Sequence, residues 1–381
     1  MNNENRSQSH IVVVGAGILG ASIALHLTLR GAQVTIVDAA TPGQGTTRIS
    51  FAWLNAFDKD PFHYHDLNRR SLDMWPRFAR RLGVEEAITW GGELKWVTTD
   101  AEAEALIARV KQVQSWGYPT RLIDTTECKQ LEPDLEIAQM KVAAYTDIEG
   151  HVDTQQVVRA CMAVMGDYGA EICSQTPVTD LLLADSGVNG TVVEAVQIGD
   201  STIPCNGVVL AGGADMPELA AMAGINLPVY HTFGATILTE PLAPLFKTIA
   251  VLHPYRDAQD RVNFRQFKDG TVMLQGGATD NKKTGDRGQT DEEVAQLMAD
   301  AAAILPALKD AKIKTVQRGR RPIPQDHHPI IGFAENVSNL YLATTHSGIT
   351  LAPIIGEMAA IEMLDKVEVA PFAPYRPTRF S

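Results

Sequence analysis

Cysteine is scarce in this chain of 381 residues, which contains four cysteines and no Cys-x-x-Cys pair. A disulfide framework or a cysteine-based metal site needs closely patterned cysteines, so neither is expected here. We therefore predict a cytoplasmic protein with reduced thiols and no bound metal. The cysteines stand at Cys128, Cys161, Cys173 and Cys205.

Long apolar runs and an excess of positive charge are also missing. No stretch of roughly eighteen or more apolar residues occurs outside a glycine-interrupted segment near the N-terminus, so no membrane span is expected. The first residues, MNNENRSQSH, lack the apolar core of a signal peptide. The formal net charge is −12, which disfavours nucleic acid and anionic membranes as partners.

The chain does contain a glycine-rich segment at residues 11–38, IVVVGAGILGASIALHLTLRGAQVTIVD. An apolar strand enters Gly15-x-Gly17-x-x-Gly20, a helix of small residues follows, and a second strand ends at Asp38. This order of strand, turn, helix and strand is the fingerprint of dinucleotide binding. The alternative is a glycine-rich turn that binds nothing.

Each position of the fingerprint has a mechanical reason. Gly15 permits the tight turn after the strand, Gly17 allows a pyrophosphate to come close, and Gly20 lets the helix lie against the sheet. The helix start at Ile18 points N–H groups and a positive dipole end at the phosphates. Asp38 is placed to accept hydrogen bonds from ribose hydroxyls, which favours FAD or NAD over NADP.

Parallel-sheet patterns recur near residues 208 and 340, and a β-rich region lies between them. This order predicts an α/β fold (α+β overall) with a Rossmann-like nucleotide-binding domain and an inserted mixed β-sheet substrate domain. The first domain is predicted to combine residues 1–85, 141–222 and 319–381, and the second residues 86–140 and 223–318.

Further stretches follow in a fixed order and resemble the D-amino acid oxidase superfamily of FAD-dependent oxidoreductases, in particular glycine oxidase, sarcosine oxidase and related amino acid dehydrogenases. The resemblance covers nearly the whole chain. The stretches are 149–153 (EGHVD), 208–214 (VVLAGGA), 319–332 (GRRPIPQDHHPIIG) and 345–353 (THSGITLAP).

The resemblance implies an FAD domain that carries a substrate domain, with the active site where they meet. It implies oxidation of a C–N bond beside a carboxylate, by hydride transfer to flavin N5, to an imine that water hydrolyses. The chain has one dinucleotide fingerprint, so the substrate itself is expected to reduce the flavin. No cysteine lies near Arg320 or Arg321, where some sarcosine oxidases attach flavin covalently, so the FAD is predicted to be noncovalent.

The family pattern assigns the substrate carboxylate to Arg321, whose guanidinium can form two parallel hydrogen bonds with it. Arg320 would point to the opposite face of an extended segment. A surface ion pair before a proline is the alternative for Arg321. His346 is the candidate nearest the flavin, and His327 and His328 are weaker ones.

The family pattern also implies contacts with the flavin and the pocket. The segment after the second strand and the start of the last helix would hold the cofactor, and the β segment at Val178 would meet the adenine. Tyr255, Arg265 and Trp53 are weaker candidates for the substrate pocket, and Phe51 with Trp53 could flank the ring. The remaining cofactor candidates are Thr46, Thr47, Arg48, Ser50, Ala211, Gly212, Gly348, Ile349 and Thr350.

Two other functions stay open at this point. A 2-hydroxy acid oxidase or dehydrogenase would use the same carboxylate anchor. A flavin-binding electron-transfer or scaffold subunit of a larger complex would need no substrate pocket. For an amino acid oxidoreductase, the partners are a small amino acid or amine carboxylate and an electron acceptor, either O2 or a quinone or electron-transfer partner.

Overall fold

A computed structural model of the protein describes residues 9–137, 139–187, 190–254, 262–276 and 290–380. The chain forms a mixed α/β fold in which two large sheets carry most of the strands. Both sheets bring together strands from distant parts of the sequence, so the site between them is assembled from separated segments.

The first sheet has six strands and is built around the N-terminal fingerprint. Its central strand β1 (His10–Val14) is almost entirely buried, as expected for a parallel strand covered on both faces. Strands β2 (Gln33–Val37) and β13 (Gly207–Leu210) flank it in parallel. The sheet continues with β9 (Glu171–Cys173) beside β2, and with β20 (Leu340–Thr344) and the antiparallel β19 (Ile330–Phe333) beyond β13.

The second sheet has eight strands. From edge to edge they are β18 (Ile313–Pro324), β14 (Val229–Thr239), β17 (Val272–Gly276), β16 (Val262–Gln266), β15 (Val251–Pro254), β5 (Glu93–Val97), β7 (Val142–Thr146) and β6 (Thr120–Ile123). Neighbouring strands are antiparallel except β15 and β5, which are parallel. The sequence pattern predicts β18 over 312–317, but pairing with β14 carries this strand on to Pro324.

Two three-stranded sheets complete the strands of the described residues. One lies next to the six-stranded sheet and contributes to its core through Leu181, Val193 and Val196. In the other sheet, a short strand from the segment after the fingerprint pairs with a strand near residue 151, which also pairs with a strand near residue 89. Their strands are β10 (Val178–Asp185), β11 (Thr191–Ile198) and β12 (Ser201–Pro204), and β3 (Trp53–Leu54), β8 (Gly150–Val152) and β4 (Ile88–Trp90).

The α-helices of the described chain cover the sheets. The longest is amphipathic, and its predicted apolar positions Leu67, Leu72, Trp75, Phe78 and Leu82 are all buried. The helices are α1 (Ile18–Leu29), α2 (Thr46–Ile49), α3 (Phe62–Leu82), α4 (Asp100–Ser115), α5 (Thr125–Leu131), α6 (Thr154–Asp167), α7 (Met216–Ala221), α8 (Asp291–Ile304) and α9 (Gly348–Asp365).

Separate apolar cores stabilise the two large sheets. One face of the six-stranded sheet packs on α1, α3, α6 and α9, and the other face packs on α7 and the sheet of β10 to β12. The eight-stranded sheet packs one face on α8 and the segments around it. Its other face is turned toward α2, the helix that follows β2. The candidate site therefore lies between this sheet and the layer formed by the six-stranded sheet with its helices.

The predicted domain boundaries stay a prediction. Strand β7 falls inside the predicted range 141–222, and the end of β18 falls inside 319–381, yet both strands pair in the eight-stranded sheet. A division that follows the sheets would therefore give both segments to the substrate domain.

None of the helices in the described stretches combines the length and the apolar character that crossing a bilayer requires. All four cysteines carry free thiols. The cytoplasmic location stays a prediction.

Helices α1 and α9 cross at a point that only glycine fits. A Cβ at Gly356 would lie 2.1 Å from the Ser22 Oγ atom and 2.9 Å from the Ser22 carbonyl carbon. A Cβ at Gly166 in α6 would have no atom within 4 Å, so Gly166 is a matched control. We expect Gly356→Ala to lower the free energy of unfolding by about 1–3 kcal/mol through overpacking.

Gly166→Ala should instead raise the free energy of unfolding by up to about 1 kcal/mol, because alanine is the better helix former. Urea denaturation of the purified variants measures both changes. Equal shifts for the two substitutions would contradict the close crossing of α1 and α9.

Candidate active site

The glycine turn after β1 packs backbone against backbone. Gly15 has φ +102°, and a Cβ on it would lie 2.5 Å from the carbonyl oxygen of Ala211. A Cβ on Gly20 would lie 1.8 Å from the carbonyl oxygen of Gly15 and would push α1 off the strand. The structure therefore brings together Gly15, Gly20, Ala211 and Gly212, four of the residues that the sequence assigns to the cofactor.

The start of α1 offers unpaired amides. Gly17 is the N-cap, and the Ile18 amide donates to the Thr47 hydroxyl at 3.0 Å, so these two cofactor candidates contact each other. The amides of Leu19 and Gly20 belong to the first turn and have no acceptor within the helix. Such a helix start is a ready site for a phosphate group.

Asp38 closes the fingerprint at the end of β2. Its Oδ2 accepts from the Ala16 amide at 2.6 Å and its Oδ1 from the Ala40 amide at 2.7 Å. Its carbonyl oxygen accepts from the Thr176 amide at 2.8 Å, which brings the chain leading to Val178 next to the same strand end. Each carboxylate oxygen can accept another hydrogen bond, so the predicted contact with a ribose fits these positions.

The segment after α2 is tied to the beginning of α9. The Thr350 hydroxyl donates to the Trp53 carbonyl at 2.9 Å and accepts from the Asn55 amide at 3.3 Å. Ala52, just before Trp53, has φ +56°, a left-handed conformation that is uncommon for a residue with a side chain, and its amide donates to the Ser50 hydroxyl at 3.0 Å. The two turns predicted to hold the flavin are therefore hydrogen-bonded to each other.

Helix α9 presents its own positive end at this point. Gly348, Ile349 and Thr350 form its first turn, whose amides lack intrahelical acceptors. The Tyr64 hydroxyl donates to the hydroxyl of the N-cap residue Ser347 at 2.8 Å. This end of the helix favours negative charge on a bound group.

A cavity of about 290 Å³ lies between α2 and residues 316–320 of β18. The Thr46 hydroxyl donates to the Arg320 carbonyl at 2.7 Å and closes one side of it. The Arg48 guanidinium is exposed and contacts the Gln44 side chain at 3.4 Å. The cavity is lined by Gln44, Gly45, Thr46, Arg48, Ile49, Gly212, Ala214, Asp215, Val316, Gln317, Arg318, Gly319 and Arg320.

The eight-stranded sheet turns one face toward α2 and β3, and we call this its inner face. The Thr236 hydroxyl donates to the Ile49 carbonyl at 2.8 Å, and a Cβ on Gly319 would lie 2.5 Å from the Ile49 Cδ1 atom. Leu252 and Phe264 point to the opposite face and are fully buried in the apolar core. Residues that alternate with the core positions therefore face the candidate site.

Arg321 lies on the inner face and leans from the edge strand β18 onto β14. A Cβ on Gly234 would lie 1.9 Å from its Nη2 atom and 2.4 Å from its Cζ atom. No side chain of the described residues forms an ion pair or a hydrogen bond with this guanidinium. Burial lowers the pKa of Arg321. A partly desolvated cation without an ion pair favours the binding of an anion.

Arg320 points to the other side of the strand, as expected for an extended segment. Its Nη2 atom lies 2.5 Å from the Asp215 Oδ1 atom in a solvent-accessible ion pair. The two adjacent arginines therefore have different surroundings, one paired with a carboxylate and the other facing the site.

His346 lines the opening between the layers. The residue is exposed, yet partial desolvation by its surroundings lowers the pKa of the ring, with further contributions from the charges of Lys59, Arg321 and His327. The lowered pKa keeps the ring neutral at neutral pH. His327 adopts φ +63° in the turn after β18, and the His328 Nδ1 atom lies 2.6 Å from the Asp326 carbonyl oxygen. His346 and Arg321 therefore lie close enough for the Arg321 charge to act on the His346 ring, whereas the His328 ring contacts the backbone of its own turn.

The weaker pocket candidates are distributed differently. The Arg265 guanidinium is buried, donates to the Val152 carbonyl at 3.1 Å and lies 4.3 Å from the Phe267 ring centroid. These contacts attach β8 to the inner face, and a substrate role for Arg265 stays a prediction. Trp53 faces the sheet, with its ring centroid 5.0 Å from that of His253. Tyr255 lies outside the described residues.

Sequence reasoning did not identify a group of charged residues next to Trp53. The Lys95 Nζ atom lies 2.5 Å from the Asp58 carboxylate and 3.6 Å from that of Glu93, and the His253 Nδ1 atom is 3.1 Å from Glu93. Burial raises the pKa of Glu93 to about 7 although Lys95 counteracts it. The signal was present in β5, where Glu93 and Lys95 alternate with the core residue Leu94.

FAD, which the resemblance implies, fits these residues. Two helix starts with unpaired amides, those of α1 and α9, converge on the space between the sheets. The Trp53 Nε1 atom is a buried donor that has no acceptor in the described part of the chain. A long cofactor with a diphosphate and a ring rich in acceptors supplies what both features lack.

The chain is similar in sequence and in fold to known proteins over nearly its whole length. The chain is 26% identical over 378 residues to glycine oxidase of Geobacillus kaustophilus, covering 97% of this chain and 96% of the relative. It is 22% identical over 387 residues to monomeric sarcosine oxidase of Streptomyces avermitilis, covering 97% of each chain. The crystal structure of the Geobacillus kaustophilus glycine oxidase has a TM-score of 0.85 at 24% identity, covering 98% of this chain and 99% of that one.

The family profile described as DAO, FAD dependent oxidoreductase, matches residues 10–361. This range includes the fingerprint, the inner face and the beginning of α9. The protein therefore belongs to the DAO family and is an FAD-dependent oxidoreductase.

Proposed function

We propose that the protein oxidises the C–N bond of a small amino acid or N-alkyl amino acid to an imine, which water hydrolyses. The observation that carries this proposal is the Arg321 guanidinium, which lies against Gly234 and meets no carboxylate within the described residues. A planar guanidinium binds a carboxylate through two parallel hydrogen bonds and so fixes both its position and its angle. The relatives named as oxidases of glycine and of sarcosine support the same substrate class.

FAD, when bound, supplies the hydride acceptor for the reaction. Arg321 holds the substrate carboxylate at the inner face, so that the α-carbon is presented to the space between the layers. Its positive charge also lowers the pKa of a nearby substrate amine, which favours the neutral amine that hydride loss requires. One residue therefore contributes both orientation and electrostatics.

His346 acts in this proposal as a neutral hydrogen-bonding group. Because its pKa is lowered from the usual value, the imidazole carries no charge in the neutral pH range. It adds no cation beside the substrate amine, and it is too weak a base to keep the amine proton. The released proton passes to water in the opening that His346 lines.

The first turn of α9 contributes electrostatically. Its amides favour negative charge at the adjoining end of the bound cofactor by about 0.3–2 kcal/mol.

The electron acceptor that completes the catalytic cycle is O2 or a quinone or electron-transfer partner. Anaerobic reduction by glycine, sarcosine, proline and D-amino acids, followed by admission of air, tests the substrate class and the acceptor together. Bleaching by hydroxy acids instead of amines would contradict C–N oxidation.

Arg321 and Arg320 form a matched pair of variants. We expect Arg321→Leu to raise the KM for carboxylate substrates about 100-fold or more, because a charge-assisted bidentate contact of roughly 3 kcal/mol is lost. Arg320→Leu removes an accessible ion pair with Asp215 and should change KM less than about threefold. Steady-state kinetics at fixed acceptor concentration measure both, and similar KM values would exclude Arg321 as the anchor.

Gly234 should control the position of the anchor. A Cβ at this position meets the Arg321 Nη2 atom at 1.9 Å, so Gly234→Ala must displace the guanidinium. We expect KM for carboxylate substrates to rise at least about tenfold, equivalent to about 1.4 kcal/mol. In the Arg321→Leu background the same substitution should have no further effect on KM, as a double-mutant cycle will report. Additive effects would mean that Gly234 acts independently of Arg321.

The FAD is proposed to be held without a covalent bond. Cys128 and Cys161 are buried in apolar surroundings, where their thiol pKa values are raised, and neither is a reactive thiolate. After acid precipitation we expect the flavin absorbance to remain in the supernatant. Retention of yellow colour in the washed pellet would contradict this expectation.

A further inference from the structure

A row of polar side chains crosses the inner face of the eight-stranded sheet. Strand register pairs Lys95 with His253, Asn263 with Gln275, and Thr236 with Gln317. The flanking pairs Leu252–Phe264 and Ile237–Leu274 place these three pairs side by side at one level. Six adjacent strands thus each contribute one polar residue, and we call this set the polar row: Lys95, His253, Asn263, Gln275, Thr236 and Gln317.

The polar row is not explained by the core of the sheet. The residues that alternate with it, such as Leu252, Phe264 and Leu274, fill the apolar core on the opposite face. An apolar inner face would have packed against the neighbouring layer without the desolvation that buried amides require. The row therefore indicates a function other than packing.

Two amides of the polar row have acceptors that nothing in the described stretches satisfies. The Asn263 Oδ1 and Gln317 Oε1 atoms are buried and accept no hydrogen bond there. Between them, Gln275 donates to the Thr236 hydroxyl at 3.4 Å, and this hydroxyl donates onward to Ile49. Because unpaired buried acceptors are rare in native proteins, these two oxygens point to a ligand that brings donors.

The polar row lies close to the carboxylate anchor. The Arg321 guanidinium sits over Gly234, two residues from Thr236 along β14, which corresponds to about 7 Å along a strand. The side chain leans from the edge of the sheet toward its centre, where Gln275 and Asn263 stand. A molecule whose carboxylate binds Arg321 can therefore reach the row with a short substituent.

The charges of the row favour a neutral substituent. Lys95 is already paired with Asp58 and lies near Glu93, and Asn263, Gln275, Thr236 and Gln317 carry no charge. A second carboxylate would bring further acceptors to oxygens that need donors. A hydroxyl or a carboxamide brings donors without charge.

We propose that the polar row is the second half of the substrate site, which binds a hydroxyl or carboxamide substituent carried on the nitrogen or the α-carbon of the substrate. This inference rests on the proposed function, because it takes Arg321 as the carboxylate anchor. It replaces an unsubstituted small amino acid by a substrate with a donor group about 7 Å from its carboxylate.

Two thioether acids that differ in one group test the proposal by binding instead of turnover. (2-Hydroxyethylthio)acetate and propylthioacetate share the carboxylate and the chain length, and sulfur replaces the oxidisable nitrogen. Isothermal titration calorimetry of the FAD-loaded protein gives the two dissociation constants. We expect the hydroxyl ligand to bind at least about tenfold more tightly, equivalent to about 1.4 kcal/mol.

Asn263→Leu and Gln317→Met remove the unsatisfied acceptors with little change of volume. A single hydroxyl donates to one acceptor, so at least one of the two variants should bring the ratio of the two dissociation constants close to one. Gln296→Met is the matched control, since Gln296 is exposed on α8 and bonds to Asp300, and it should keep the preference. Equal affinities in the unmodified protein, or a preference that survives both variants, would overturn the role of the row.

Arg321→Leu separates this inference from the proposal beneath it. The variant should weaken both ligands by the same factor and leave their ratio unchanged. If neither ligand loses affinity, the anchor itself is wrong, and the proposed function fails with it. The ratio therefore reports on the polar row, and the absolute affinity reports on Arg321.

Discussion

The candidate site depends on a partly buried positive charge, that of Arg321, which no carboxylate of the described residues compensates. A guanidinium that loses water without gaining a carboxylate is costly, and such groups usually appear in native structures as members of ion pairs. Arg320, the neighbour of Arg321, has such a pair with Asp215. Arg321 instead lies against the bare backbone of Gly234, where a Cβ would displace it. In the proposed function, the binding of a substrate carboxylate compensates this charge.

The eight-stranded sheet can support this charge because its faces differ. The apolar residues of each strand fill one core, which leaves the alternate positions free to carry polar groups toward the layer of the six-stranded sheet. Lys95 pairs with Asp58 at one end of this face, close to Glu93 and His253, and Arg321 stands at the other end. In the proposed site, this electrostatic asymmetry orients a substrate that has one anionic and one neutral polar end.

Local features of the site could be predicted from the sequence, whereas features set by strand pairing could not. Gly15, Gly20 and Asp38 lie within one short segment whose spacing determines their geometry, and the structure places them as expected. The extended backbone at Arg320 and Arg321 follows from a short motif in the same way. Asn263 and Gln317 lie at one level of the same face only because β18, β14, β17 and β16 pair in a particular register. A single sequence carries no signal for that register beyond the alternation within each strand.

The reacting atoms depend on how the two layers are joined. Arg321 and the polar row belong to one sheet, while the turns predicted to hold the cofactor belong to the other layer. Several contacts between the layers involve one short segment, where Ile49 accepts from Thr236 and Trp53 accepts from Thr350. The proposed hydride transfer requires its donor and acceptor atoms to approach to about 3–3.5 Å, and the position of this segment contributes to that distance. The left-handed backbone at Ala52, in the middle of the segment, is maintained by these hydrogen bonds at both ends.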